Sequence, residues 1–251
     1  MDAIETGYEA KFDFPARQAP PTLRYLFAST PRSGSTYVSH LLWRTGCLGA
    51  PLEYLNFEPT GPYGFARDAP AKQMALWRNA LAHRTSPNGV FGLKAFPVQM
   101  EGLQSSNPAL LGEVMRTMIA GRGRAKVVRL RRRDRTAHAI SYARAALSGI
   151  WRSEQEVGGR PEPDYSENAI INSGRFLDRQ ERSWDAMIRD LDLAPLEIWY
   201  EDVLADAAGA MEAVAAYLGV TLDPAAIVEI PEIVRQSQRG AEAWREAHEK
   251  S

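Results

Sequence analysis

Two rhythms of apolar residues alternate along the chain. Short apolar runs at Leu23–Ala28, Gly89–Phe96, Ala125–Leu130 and Leu196–Trp199 read as buried strands. Between them, apolar residues recur every three or four positions, which predicts helices. One carries Tyr37, Val38, Leu41 and Leu42 and ends at Gly46. Others are expected from about Asp68 through Trp77 to His83, over Pro108–Ile119, from Asp134 as N-cap to Leu147, over Asn168–Asp190, and over the alanine-rich Ala205–Leu218 closed by Gly219. Strands alternating with helices predict an α/β fold with a parallel sheet covered on both faces.

The remaining stretches are polar or irregular. Residues 1–21 are proline-bearing and aperiodic, a lead-in rather than an element. Ala50–Pro70 (APLEYLNFEPTGPYGFARDAP) is a loop rich in Pro, Gly and aromatics, and a loop of that length in a compact domain usually carries function or motion. Gly149–Ser166 is polar and glycine-rich, and residues 224–251 form a tail carrying Arg235, Gln236, Arg239 and Trp244. Without repeats or a compositional break, residues 1–251 read as a single domain, with the tail as a candidate cover for the site.

Composition narrows the function classes. A net charge of −1 gives no basic field for nucleic acid. No run approaches the about 20 apolar residues of a membrane span. The first residues lack the basic-then-apolar pattern of a signal peptide. A single cysteine, Cys47, cannot form an internal disulfide and fits a reducing cytoplasm, with a structural role. The four histidines are scattered, so no metal site is expected.

Chemistry concentrates where strands end. Leu23–Leu42 reads LRYLFASTPRSGSTYVSHLL: a strand, then a turn of small and basic residues (Pro31, Arg32, Ser33, Gly34, Ser35, Thr36), then a helix. Such a turn aims backbone N–H groups and a helix N-terminus at an anion, and Gly34 allows close approach. It is not a Walker A loop: no glycine opens it, and Ser35 stands where the lysine would be. A phospho-anhydride other than magnesium–ATP fits better. After the third strand come Arg131, Arg132, Arg133, Asp134 and Arg135, and Ser141 lies eight residues beyond Arg133. An arginine fork and a hydroxyl about two turns along one helix suit a second phosphate; a solvated basic helix start is the alternative. Together the two clusters fit a nucleotide with phosphate at both ends of its ribose.

Here the chain resembles a family. TPRSGST, LRRRDRTAHAISYARA and IWYEDVL are similar to three signatures of sulfotransferases that use 3′-phosphoadenosine 5′-phosphosulfate (PAPS). RSGST…RTGCLGAPLEYL and RRRDRTAHAIS…SGIWR resemble the bacterial trehalose 2-sulfotransferase branch, over about Leu23 to Leu218. The resemblance implies a P-loop-type three-layer sandwich with a central parallel sheet flanked by helices, a homodimer, no metal, and a carbohydrate or glycolipid acceptor. It assigns Arg32, Ser33, Gly34, Ser35 and Thr36 to the 5′-phosphosulfate, with Arg32 also offsetting charge on the leaving phosphate. It assigns Arg133 and Ser141 to the 3′-phosphate, and Arg235, Gln236 or Arg239 to a cofactor clamp. Many sulfotransferases carry a basic histidine on the second strand. Here that strand reads Lys94-Ala95-Phe96-Pro97, and Glu53, matching the trehalose branch, is the expected general base. Tyr54 and Phe57, with Tyr63 and Phe65, are expected to meet the sugar, loop packing being the alternative; Lys94 to reach the sulfuryl oxygens or pair at the strand end; and Trp151 to lie on the acceptor side, an exposed anchor or a core aromatic being the alternative. His138 is expected on a helix surface, and Glu201 and Asp202 as braces of a strand end. An ATP-dependent phosphotransferase and a non-catalytic nucleotide-binding module remain the other readings of these motifs.

Overall fold

The computed structural model describes residues 5–119, 125–151, 162–232 and 239–250. Four strands, β1 (Leu23–Ala28), β2 (Val90–Ala95), β3 (Lys126–Arg131) and β4 (Leu196–Trp199), pair in parallel in the order β2-β1-β3-β4. The helices are α1 (Ser35–Arg44), α2 (Pro70–His83), α3 (Pro97–Ser106), α4 (Pro108–Met118), α5 (Arg135–Ser148), α6 (Glu167–Asp190), α7 (Tyr200–Ala205), α8 (Ala207–Leu218) and α9 (Arg239–Glu249). The expected α/β class, a central parallel sheet flanked by helices in three layers, is what the chain forms.

The strands read as continuous apolar runs because both faces of the sheet are covered. Leu26, Ala28, Phe91, Leu93 and Val127 face a layer holding Trp77 of α2, Leu103 of α3, Leu110 of α4 and Trp184 of α6. Their neighbours Tyr25, Phe27, Val128, Leu130 and Ile198 face Val38 and Leu42 of α1, Val203 of α7 and Val214 of α8. Each Leu, Ile, Val or Phe side chain among them, taken from water, contributes about 1.5–3 kcal/mol. A third, smaller cluster joins Ile140 of α5, Ile170 of α6 and Trp244 of α9.

Two charges break the apolar rule inside the sheet, Lys94 in β2 and Arg129 in β3, exposed by 1% and 2%. Both are paired, as burial requires. Arg129 donates to Glu181 Oε2 at 2.8 Å and to Asp185 of α6.

The lead-in and the described parts of the tail are tied down. In the lead-in, Asp13 pairs with Arg84 Nε at 2.9 Å, and Arg84 donates to the Gly7 carbonyl at 2.8 Å. In the tail, the Val228 N–H reaches the Arg44 carbonyl at 3.1 Å, and α9 packs on α5 with Trp244 buried.

Three helices lie outside the sequence expectation. α3 has little apolar stripe, burying Pro97, Gln99 and Leu103; α7 has six residues, too few for a period. In α9 Trp244 is the deeply buried apolar side chain.

Candidate active site

The connection after β1 leads to strands on both of its sides, β2 and β3, so the turn at its carboxyl end occupies the sheet's topological switch point. A cavity of about 900 Å³ opens there, within the range that holds a cofactor or drug-sized ligand.

The turn is set in backbone. Gly34 has φ 86° and serves as N-cap of α1. A Cβ at that position would lie 2.2 Å from the Tyr200 ring, so glycine is required twice over, for the left-handed conformation and for the space. Arg32 also takes a positive φ, 63°, a costly conformation for a side chain of this kind. It is held from several directions. Its carbonyl accepts from Arg132 at 3.1 Å. Its Nε donates to Ser141 Oγ at 3.1 Å, and its guanidinium donates to the Trp151 carbonyl at 2.6 Å. The Ser33 hydroxyl is buried in the turn and has no hydrogen-bond partner among the described residues.

Side chains behind the turn brace it. Trp184 Nε1 donates to the Ser29 carbonyl at 2.7 Å, and the Thr30 hydroxyl donates to the buried Glu181 at 3.4 Å. His138 is not on a helix surface as expected: α5 turns it inward, 1% exposed, where Nε2 donates to the Pro31 carbonyl at 2.8 Å. Burial, with Arg132, Arg135 and Arg32 nearby, pushes its pKa down to about 4, so the ring is neutral at pH 7.

Glu53 reaches the same cavity from the long loop. Leu52 forms a parallel bridge with Leu93, and Lys94 N–H donates to the Leu52 carbonyl at 3.2 Å, so the loop runs beside β2. The Glu53 carboxylate accepts from Lys94 Nζ at 3.0 Å, Asn56 Nδ2 at 2.8 Å and Gln99 Nε2 at 3.0 Å. Its N–H donates to the Tyr8 hydroxyl at 3.0 Å, which brings the lead-in to the site. Lys94 Nζ lies 3.2 Å from Thr36 Oγ1. A second cation, besides the turn's own Arg32, therefore reaches the turn from the neighbouring strand. Phe27 pairs with Lys94 in register, which places that ammonium beside the end of β1.

Of the residues expected at the site, Arg32, Gly34, Ser35, Thr36, Glu53, Lys94, Ser141 and Trp151 line the cavity. Tyr54 and Phe57 do not. Tyr54 is fully buried, its hydroxyl on the Ala50 carbonyl and its ring 5.9 Å from Phe91, and Phe57 belongs to the same core. Tyr63 packs on Tyr8, and Phe65 lies outside under Lys72. Arg133 is turned away from Ser141: it forks onto Asp202, with one bond of 2.8 Å, and lies 4.8 Å over Trp199. Arg132 faces the cavity instead. Glu201 braces this corner as expected, accepting the N–H groups of Arg133 at 3.1 Å and Asp134 at 3.2 Å. Arg235, Gln236 and the side chain of Arg239 lie outside the described residues.

Gln99, Tyr142, Phe176 and Arg245 line the cavity and were not anticipated. A glutamine at the third helical position after Pro97 was a readable sign for Gln99, since it caps the Phe96 N–H at 3.0 Å. Tyr142 and Phe176 sit on different helices, and nothing in the linear sequence pairs them. Arg245 of α9 meets Asp134, the α5 N-cap, at 2.9 Å. Among the described residues no group of three His, Cys, Asp or Glu is placed for a metal ion, and no helix is long and apolar enough to cross a membrane.

Comparison with known proteins supplies the family. The trehalose 2-sulfotransferase of Mycobacterium tuberculosis (strain ATCC 35801 / TMC 107 / Erdman) is 28% identical over 256 residues, covering 88% of this chain and 92% of that protein. The trehalose 2-sulfotransferase of Mycolicibacterium smegmatis (strain ATCC 700084 / mc(2)155) is 24% identical, covering 89% and 93%. Among solved structures, the sulfotransferase domain from the Synechococcus PCC 7002 olefin synthase aligns with a TM-score of 0.45 at 15% identity, over 92% of this chain and 96% of that one. The model of the Stf0 sulphotransferase family matches residues 24–250, nearly the whole length, and this chain therefore belongs to that family.

Proposed function

We propose that this chain transfers a sulfuryl group from PAPS to a hydroxyl of a carbohydrate, with trehalose as the acceptor that the relatives' names suggest and a glycolipid as the alternative. The observation that carries this reading is the contact of Lys94 with both Glu53 and Thr36, at 3.0 Å and 3.2 Å. It puts a carboxylate and an anion-binding turn in one cavity.

The residues present suit the donor. PAPS supplies the activated sulfuryl group, already carried on phosphate. Gly34, Ser35 and Thr36, which line the cavity, offer it hydroxyl and backbone donors at a helix N-terminus, and Ser33 lies buried in the turn just before them. Ser141 and Arg132 face the cavity for the 3′-phosphate. Arg133 joins them by leaving Asp202; that ion pair stands in solvent, where such pairs are held weakly, and a phosphate dianion competes for it.

On this reading Glu53 takes the acceptor's proton while the acceptor oxygen bonds to sulfur. The bond from sulfur to the bridging phosphate oxygen breaks as the new one forms. Arg32, fixed between Ser141 and the Trp151 carbonyl, offsets the charge gathering on that leaving oxygen. Lys94 orients the carboxylate and stands by the transferred group.

Glu53→Gln tests the reading. It keeps an acceptor of hydrogen bonds and removes the base. Transfer from PAPS to trehalose should fall by about 10²–10⁴-fold in kcat, with affinity for 3′-phosphoadenosine 5′-phosphate unchanged by calorimetry. Wild-type turnover in that variant would remove Glu53 from the chemistry.

A further inference from the structure

We propose that Tyr142, Trp151 and Phe176 form a stacking platform for the ring face of the acceptor, which makes the acceptor a cyclic sugar rather than an open-chain polyol or simple alcohol. The inference rests on the sulfotransferase reading above.

The three rings form one unit. Tyr142 stacks on Phe176 at 4.8 Å with 28° between planes, Trp151 meets Tyr142 edge-on at 5.5 Å, and the Arg179 guanidinium backs the Phe176 ring at 5.4 Å. All three line the cavity and are part-buried. Packing between α5 and α6 alone does not account for them: the apolar cluster joining those helices consists of Ala139, Ile140, Ala143, Ile170 and Trp244, with Ala169 and Ala241 against it. A large aromatic pair left outside the core, at a cavity wall, is surface held ready for a ligand.

Contacts on either side place this wall between the donor turn and the base. Ser141, next to Tyr142, and the Trp151 carbonyl are the two groups that fix Arg32. On α6, one turn beyond Phe176, Gln180 accepts the Val98 N–H at 2.8 Å, and the adjacent Gln99 donates to Glu53 at 3.0 Å. A ligand resting on the rings thus lies between the residues that hold Arg32 and those that hold Glu53. A pyranose shows a patch of C–H bonds on one face and hydroxyls around its edge. Flat aromatic surface covers the former and leaves the latter free to meet Glu53.

The test is steady-state transfer from PAPS with trehalose and with sorbitol as acceptors, on wild type, Tyr142→Ala, Tyr142→Phe, Phe176→Ala and Phe176→Leu. Phe176→Leu keeps apolar volume and loses the flat ring. The expected result is a KM for trehalose raised about tenfold in the two alanine variants and in Phe176→Leu, an unchanged KM in Tyr142→Phe, and an unchanged KM for PAPS throughout. Wild type should prefer trehalose to sorbitol. Unmoved trehalose KM values in the alanine variants, or equal use of sorbitol, would overturn the platform while leaving the transferase reading intact. Transfer to neither acceptor by wild type would remove both.

Discussion

The two sides of the cavity, which the proposal above gives to donor and acceptor, are built by different means. The turn from Pro31 to Thr36 is a backbone device: two residues at positive φ, a helix N-terminus, and a glycine whose missing Cβ makes room for Tyr200. Even its supports act on backbone, with Trp184 on the Ser29 carbonyl, His138 on Pro31 and Arg132 on Arg32. The acceptor side is a side-chain device. Glu53 comes from a loop, Lys94 from β2, Gln99 from α3 and Tyr8 from the lead-in, joined by hydrogen bonds between atoms distant in sequence. A backbone device tolerates little change at any position. A side-chain device can be retuned one residue at a time, which suits the part of an enzyme that selects among acceptors.

That contrast can be broken by measurement. The largest effect is expected for Gly34→Ala, which forces a Cβ into a left-handed residue and into the Tyr200 ring. Affinity for 3′-phosphoadenosine 5′-phosphate should fall by about a hundredfold, ~3 kcal/mol; an unchanged Kd in calorimetry would show that the cradle is not held by its backbone. Next comes acid sensitivity on the donor side. His138 titrates near 4 in the folded chain against about 6.5 unfolded, so the unfolded state binds the extra proton between those values. Stability contributed by the neutral ring is complete above about pH 6.5. It is lost as pH falls toward 4, up to about 3 kcal/mol in all. His138→Gln should flatten that acid limb in melting temperatures taken from pH 7.5 to 4.5, and an equally steep limb in the variant would rule the histidine out as its source. The smallest change is expected on the acceptor side. Gln99→Leu removes one of the donors on Glu53 and should lower kcat roughly tenfold, about 1.4 kcal/mol, with nucleotide affinity untouched. A loss of nucleotide affinity instead would mean that the two sides are one structure.

The same contrast explains what could be read from the chain. The strands and long helices follow from apolar spacing, and Asp134 caps α5 as its position suggested, accepting from the Ala137 N–H at 2.9 Å. The turn was legible because its chemistry sits in one short stretch. Lys94 and Glu53 were visible as residues, but their meeting depends on a bridge between Leu52 and Leu93 that no local pattern announces. Tyr54 and Phe57 looked like ligand contacts because loop aromatics often are; here the loop folds back and uses them as core. Arg133 was placed by motif spacing, yet its rotamer follows Asp202, which lies 69 residues away. His138 looked exposed because a polar residue on a basic helix usually is, and the buried carbonyl that it satisfies belongs to Pro31, 107 residues earlier.

Both ends of the described chain border the cavity, Thr6 and Tyr8 on one side and Ala241 and Arg245 on the other. This has a consequence for the order in which the molecule is made. The four strands are complete once Trp199 has been synthesised, and the core around them once α7 and α8 have followed. The cavity wall at α9 cannot, because it waits for residues 239–249 to dock on α5. A chain emerging from the ribosome therefore acquires its sheet before the α9 wall of this cavity.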